Sequence, residues 1–370
     1  MPRCRLLVAV VAALIAPGCG GGAAVPVDGP AAAEAAPADA ATAAAADGPG
    51  PAADAGPEAA PRPGNVTEQE QPGADWSCGA PESCRADYDA FPGRAAAYAR
   101  PIDETELNAQ LWDMLVGNAP EYTAPLAPAA LRDALLDAMN ARFLIDGLDA
   151  RPLLVGVTAR AETADAFELT LLFDDPWVGR FKGILLLPKG AGPFPGLVAI
   201  HGHGDQAAIY RDDYHGREWP GRGYAILMLT MRVMGIDLDE HEVTHDLLRQ
   251  GFDLMALRMY ESLLGLKYLR WHPAVDPARV GLIGHSGGSS TGNLTVRVDL
   301  GVPAFVSDNT VDWFQSSVTE LYHCETAPGL YPFHLLVNDF TTSTVPVKSV
   351  PYGYTNGMDE IFTFMDQHLQ

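Results

Sequence analysis

Positive charge is scarce in this sequence. Its 370 residues carry 24 Lys and Arg against 47 Asp and Glu, a formal net charge of −23. A polyanion of that size repels phosphate backbones, which excludes a basic nucleic-acid binder. Long apolar runs are missing too. The longest, Leu6 to Ala16, has eleven residues, and a bilayer-spanning helix needs about 20, so a multi-spanning membrane protein is excluded. Cysteine is limited to Cys4, Cys19, Cys78, Cys84 and Cys324, too few for a disulfide-dense mini-domain. Between residues 21 and 75 there is no Ile, Leu, Met, Phe, Trp or Tyr at all, while Ala reaches 20, Pro 9 and Gly 8. Such a segment cannot bury enough apolar surface to offset the entropy of ordering, so residues 20–75 read as a disordered linker. Nine acids against the single Arg62 stretch it further by self-repulsion.

What is present begins with an address. Arg3 and Arg5 precede the apolar run, small residues follow it, and Cys19 leads into Gly20–Gly22. The arrangement is that of an export signal. It resembles a bacterial lipoprotein signal, which implies lipidation of Cys19, a membrane anchor and a place in the cell envelope. The alternative is ordinary signal cleavage with Cys19 incidental. Cys78 and Cys84 stand close enough to bridge across a small loop in an oxidising compartment. Cys324 is left over and reads as a buried free thiol.

From Trp76 the composition changes and an alternation of helix and strand patterns begins. Leu107, Leu111, Met114 and Leu115, after the acidic start Asp103–Glu104, recur at helical spacing. Leu131, Leu135, Leu136, Met139 and Phe143 do the same. These predict covering helices over an N-terminal part, residues 76–150. Strand-like runs follow at Leu153–Thr158, Phe167–Phe173, Phe181–Leu187, Gly196–Ile200, Tyr224–Leu229, Val280–Ile283, Val302–Val306, Phe333–Val337 and Val347–Val350. A long helical stretch is expected from about Leu247 to Leu269, another after Ser286 to about Val298, and a last one over Asp359–Leu369. Continuous apolar strands alternating with helices predict a mainly parallel sheet covered by helices on both faces, here within one domain, residues 76–370.

Gly284–His285–Ser286–Gly287–Gly288 fits G-x-S-x-G between a predicted strand and a predicted helix. That placement makes the motif specific, because a serine on a strained strand-to-helix turn projects its hydroxyl, and small neighbours leave the backbone room. The Gly287 amide, at the helix start, points to where an oxyanion would form. Upstream, His201–Gly202–His203–Gly204–Asp205 closes another strand. With Gly223–Leu227 followed by Met231–Arg232, and Leu269–Pro273 followed by Val275–Gly281, the chain resembles the α/β-hydrolase superfamily, in detail its dienelactone hydrolase and acetyl xylan esterase branch. The resemblance covers roughly residues 151–370 and weakens after Leu300. It implies an α/β-hydrolase fold, a nucleophile at Ser286, an oxyanion hole from the amides of Gly287 and His203, and a catalytic acid at Asp339.

The histidine of such a triad is expected before the last helix, where Asn356 stands instead. A neutral amide cannot take the serine proton, so the base is unassigned; His323 and His334, on the segment after the sixth strand, are the first two candidates, and His368 reads as a surface residue. A second pattern competes. His241–Glu242–Val243–Thr244–His245 satisfies H-E-x-x-H, with Glu261 as a third ligand for zinc. The hydrolase resemblance places it in a polar loop. The expectation is therefore a carboxylic ester hydrolase using Ser286 on small-molecule or polysaccharide esters, with no cofactor and no metal. A non-catalytic surface-binding relative and a zinc peptidase are the alternatives.

Overall fold

The computed structural model describes residues 63–74, 85–234, 238–309, 327–351 and 353–370. The signal segment, Cys4, Cys19, Cys78, Cys84, His323, Cys324 and most of the expected linker lie outside the described residues.

Four helices precede most of the sheet: α1 (Arg85–Arg94), α2 (Glu104–Leu115), α3 (Pro128–Ala138) and α4 (Arg142–Ile145). The acidic start of α2 acts as a cap, since Asp103 accepts the Glu106 amide at 2.9 Å. Leu107, Leu111 and Met114 are then buried along one face, as are Leu131, Leu135 and Leu136 of α3. The strands are β1 (Val66–Glu70), β2 (Leu153–Glu162), β3 (Ala166–Asp175), β4 (Gly179–Pro188), β5 (Phe194–Ile200), β6 (Ala225–Thr230), β7 (Val275–His285), β8 (Phe305–Asp308) and β9 (Val347–Val350). They form one sheet in the order β1-β2-β3-β4-β6-β5-β7-β8-β9. β2, β3 and β4 make an antiparallel meander that joins β6 antiparallel, and β6, β5, β7, β8 and β9 run parallel.

The remaining helices are α5 (Ala207–Asp213), α6 (Leu238–Arg249), α7 (Leu254–Trp271), α8 (Gly287–Val298), α9 (His334–Asn338), α10 (Gly353–Asn356) and α11 (Met358–Leu369). Strand alternation divides the core. Val198, Ile200, Leu227, Leu229 and Leu282 pack with α7 and the N-terminal helices. Leu197, Ala199, Ile226, Met228, Ile283 and Val306 face the other way, onto Ile361, Phe362, Met365 and Leu369 of α11. The mainly parallel sheet with helices on both faces is present as expected.

Four expectations are corrected. The linker expected over 20–75 overlaps β1, which pairs parallel with β2 and is anchored where Tyr268 donates to Glu68 at 2.6 Å. The single helix expected from Leu247 to Leu269 is two, because Asp253 accepts the Met255 amide at 2.8 Å and starts α7 anew. Phe333–Val337 is no strand: a 3-10 turn at Tyr331–Phe333 runs into α9, which buries Leu336 and Val337 and exposes Leu335. A five-residue apolar run carries too little periodicity to separate the two outcomes. Finally, the H-E-x-x-H segment lies on helix α6 and not in a loop.

Candidate active site

β7 ends at His285, and Ser286 follows with φ 51° and ψ −117°. A non-glycine residue there costs on the order of 1–3 kcal/mol and persists only where its surroundings over-determine it. They do. A Cβ on Gly284 would stand 2.3 Å from Gly288 O, and one on Gly288 would stand 2.3 Å from Ile200 O, so only glycines permit this closeness. The Ser286 amide donates to Asp308 O at 2.9 Å, and Ser289 Oγ bonds Gly284 O and Asp308 O at 2.6 Å each. α8 begins at Gly287, and the first amides of a helix have no carbonyl one turn back to bond. The Gly287 N–H is thus one of the helix's unpaired first-turn donors, next to Ser286.

β5 delivers His201, Gly202 and His203 to the same end of the sheet. His201 is fully buried; its Nδ1 donates to Gly202 O at 2.7 Å and its Nε2 accepts the Met231 amide at 2.9 Å. Burial pushes this imidazole down to about 4, so it stays neutral and works as a strut between β5 and the end of β6. Gly202 backs directly onto the elbow, since a Cβ on it would lie 3.1 Å from Ser286 Cβ. The His203 amide comes next in the chain. The His203 ring approaches Glu240, with Nε2 3.4 Å from Oε1. Burial would raise the Glu240 carboxyl, but Arg258 and then His203 outweigh it and hold it below the usual carboxylate range.

Three residues that sequence reasoning passed over complete the neighbourhood. Asp308 closes β8 in register with His285 across the parallel pair. Its side chain is fully buried; Oδ2 accepts His285 Nδ1 at 2.7 Å and Oδ1 accepts the Gly353 amide at 2.5 Å. Tyr214 and Tyr354 stack on each other and pack against the imidazole, with ring centroids 4.9 and 5.1 Å from it. Tyr214 donates to Asp205 at 2.7 Å, which ties the ring cluster to the loop after β5. The available signal was a carboxylate at the C-terminal end of the strand next to the elbow strand.

Asp339 is held elsewhere. Its carboxylate accepts Thr341 N at 3.0 Å and Thr341 Oγ1 at 2.6 Å, a local turn. Its carbonyl accepts Arg297 Nη2 at 2.7 Å, and Arg297 lies in the last turn of α8, about 16 Å of helix rise beyond Ser286. The structure does not bring this carboxylate to the elbow. Asn356 ends α10, just after β9. His334 Nδ1 donates to Tyr331 O at 2.8 Å, and His368 is exposed on α11 against Phe364. On α6, His245 pairs with Glu104 at 3.1 Å. Glu261 is fully buried on α7, accepting from Arg232 of the segment after β6 and from Tyr88. It is spent as an ion-pair partner, not aimed at His241 and His245.

Over part of its length the chain is similar to curated proteins. Acyl-coenzyme A thioesterase 5 of Mus musculus is 30% identical over 154 residues, 41% of this chain and 32% of that protein. Acyl-coenzyme A thioesterase 2, mitochondrial, of Homo sapiens is 32% identical over 111 residues, 30% of this chain and 20% of that protein. The chain thus spans a third or less of the length of these relatives. Among solved structures, an acetyl xylan esterase from Paenibacillus sp. R4 aligns at 15% identity and a TM-score of 0.47, covering 70% of this chain and 99% of that one. Acetyl Xylan Esterase 1 from Thermoanaerobacterium sp. JW/SL YS485 aligns at 13% identity and a TM-score of 0.45, covering 73% and 100%. No family model matches.

Proposed function

The chain carries the α/β-hydrolase fold, and from that premise we propose that it is a serine hydrolase of carboxylic esters and thioesters with Ser286 as nucleophile. The observation that carries this is the backbone of Ser286, held at φ 51° between β7 and α8. Ser286 Oγ attacks the acyl carbon, and the amides of Gly287 and His203 receive the oxyanion. The alcohol or thiol then departs, and water releases the acyl group by the same route. Sulfur esters enter the proposal through the partial similarity to acyl-coenzyme A thioesterases. Oxygen esters enter through the resemblance of the HG loop and elbow to the acetyl xylan esterase branch. Asp339 has no part in this scheme, because its carboxylate is taken up by Thr341.

The reading is tested with a fluorophosphonate probe and a panel of nitrophenyl acetate and butyrate, acetylated xylan, and short- and long-chain acyl-coenzyme A. Labelling of the wild type and its loss in Ser286→Ala, with turnover of at least one substrate, is the expected result. Turnover that survives Ser286→Ala, or ligand binding with neither labelling nor turnover, would replace it with a different nucleophile or a non-catalytic binding role. The proposal extends to location: the Arg3/Arg5 start, apolar run and Cys19 mark an exported, lipid-anchored chain acting on small-molecule or polysaccharide esters outside the cell membrane.

A further inference from the structure

Ser286 needs a proton acceptor, and most imidazoles among the described residues are committed. His201 uses both nitrogens as a strut. His215 faces Glu218 with Nδ1 at 2.6 Å and the Tyr354 carbonyl with Nε2 at 3.0 Å. His272 stands just before β7, at the far end of the elbow strand, where its Nδ1 accepts the Ala274 amide. His245 of α6 is held by Glu104 of α2. His285 differs. Its Nδ1 is bonded to Asp308, and its Nε2 has no hydrogen-bond partner among the described residues. Ser286 Oγ has none there either. A methyl group placed on Gly202 would touch both, 3.0 Å from His285 Cδ2 and 3.1 Å from Ser286 Cβ. Cδ2 is bonded to Nε2, so the unspent edge of the ring and the serine side chain line one gap above Gly202.

We propose that His285, the residue immediately before the nucleophile, is the general base of Ser286, and that Asp308 is its positioning carboxylate. The inference rests on the serine hydrolase reading above. Accepting Nδ1–H leaves the lone pair of the neutral imidazole on Nε2, the tautomer a base needs. Asp308 is fixed for that task on three sides, by the Gly353 amide on Oδ1, and by Ser286 N and Ser289 Oγ on its carbonyl. Tyr214 and Tyr354, stacked on each other with centroids 4.7 Å apart, pack against the imidazole and limit its rotation. As the Oγ–acyl carbon bond forms, the Oγ proton passes to Nε2. Nε2 returns it to the departing oxygen or sulfur as that bond breaks, and the cycle repeats with water.

The test compares wild type, His285→Ala, His285→Gln, Asp308→Asn, His203→Ala and His323→Ala on the best ester of the panel, with fold followed by circular dichroism and melting. Loss of general-base catalysis costs about 10²–10⁴-fold in rate. His285→Ala and His285→Gln are expected to lose kcat on that scale, and added imidazole should restore part of it to His285→Ala alone. Asp308→Asn should lower kcat with little change in KM. The second substitution guards against a packing defect, and imidazole rescue has no counterpart for a purely structural histidine. If Ser286-dependent turnover stays within threefold of wild type in both His285 variants, the inference fails while the serine hydrolase reading stands. A collapse confined to His203→Ala would move the base to the His203–Glu240 pair, and one confined to His323→Ala would move it to that residue. A wild type without Ser286-dependent turnover ends both readings together.

Discussion

Ser286 is a single residue that stores backbone strain. Its backbone sits where side chains clash, at a cost of about 1–3 kcal/mol, and the bonds from Ser286 N and Ser289 Oγ to Asp308 O hold it there. Glycine at this position removes the clash but adds about 0.5–1 kcal/mol of unfolded-state freedom. Ser286→Gly is therefore expected to be more stable than Ser286→Ala by on the order of 1 kcal/mol, while both are inactive. Thermal melts of the two variants check this, and an equal or lower midpoint for the glycine variant would mean the turn carries no strain. At this scale the strained elbow was legible, because G-x-S-x-G is a local pattern of small residues around one turn. Asp308 was not. It is separated from His285 by all of α8, and only the parallel register of β7 and β8 sets them side by side.

Among elements, α7 is buried without a break from Leu254 to Leu269. A helix without a solvent face must settle its polar groups internally, and the pairs Arg258–Glu240 and Glu261–Arg232 do so. Its cap is buried as well. Burial pushes the Asp253 carboxyl from 3.8 up to about 7, against the opposing pull of the Met255 and Ala256 amides. The sign follows from proton uptake. Between about 7 and 3.8 the folded chain binds a proton that the unfolded chain does not, so stability from this group rises as the pH falls through that window and is lost as it rises again. Asp253→Ser keeps an acceptor for the cap without titrating. Wild type should gain on this variant in denaturant midpoint as the pH is lowered from above 7 to about 4, and a constant difference across that range would refute the shift. Asp253→Ala should cost about 1 kcal/mol more than the serine change, through the lost cap.

At the scale of the whole molecule, the two ends of the sequence obey different physics. Residues 63–370, as far as they are described, build a sheet with two packed faces. The alanine-, proline- and glycine-rich stretch before them has no large apolar side chain to contribute to such a core. If Cys19 carries lipid, Cys19→Ser should shift the protein from the detergent phase to the aqueous phase on phase separation, leaving the melting of the folded unit unchanged. Identical partitioning of the two forms would remove the anchor from the account. The net charge of −23 should also keep the released form soluble.

The amino-acid sequence by itself determined the fold class, because continuous apolar runs such as Ala225–Leu229 and Gly196–Ile200 suit only strands buried on both faces. It determined the elbow too, through Gly284, Ser286 and Gly288, whose spacing is the constraint that the turn imposes. Where signals were short or non-local it left the outcome open. Val66–Glu70 carries a single buried side chain and is a strand only because β2 offers it an open edge and Tyr268 a bond. Phe333–Val337 is apolar enough for either structure, and the burial of Leu336 and Val337 with Leu335 outside selected the helix. The carboxylate facing His285, and the tie of Asp339 to Thr341 at the far end of α8, were decided by the tertiary structure alone. Hydrogen bonds act over about 3 Å, and which groups come that close depends on strand register, which no local stretch of sequence contains.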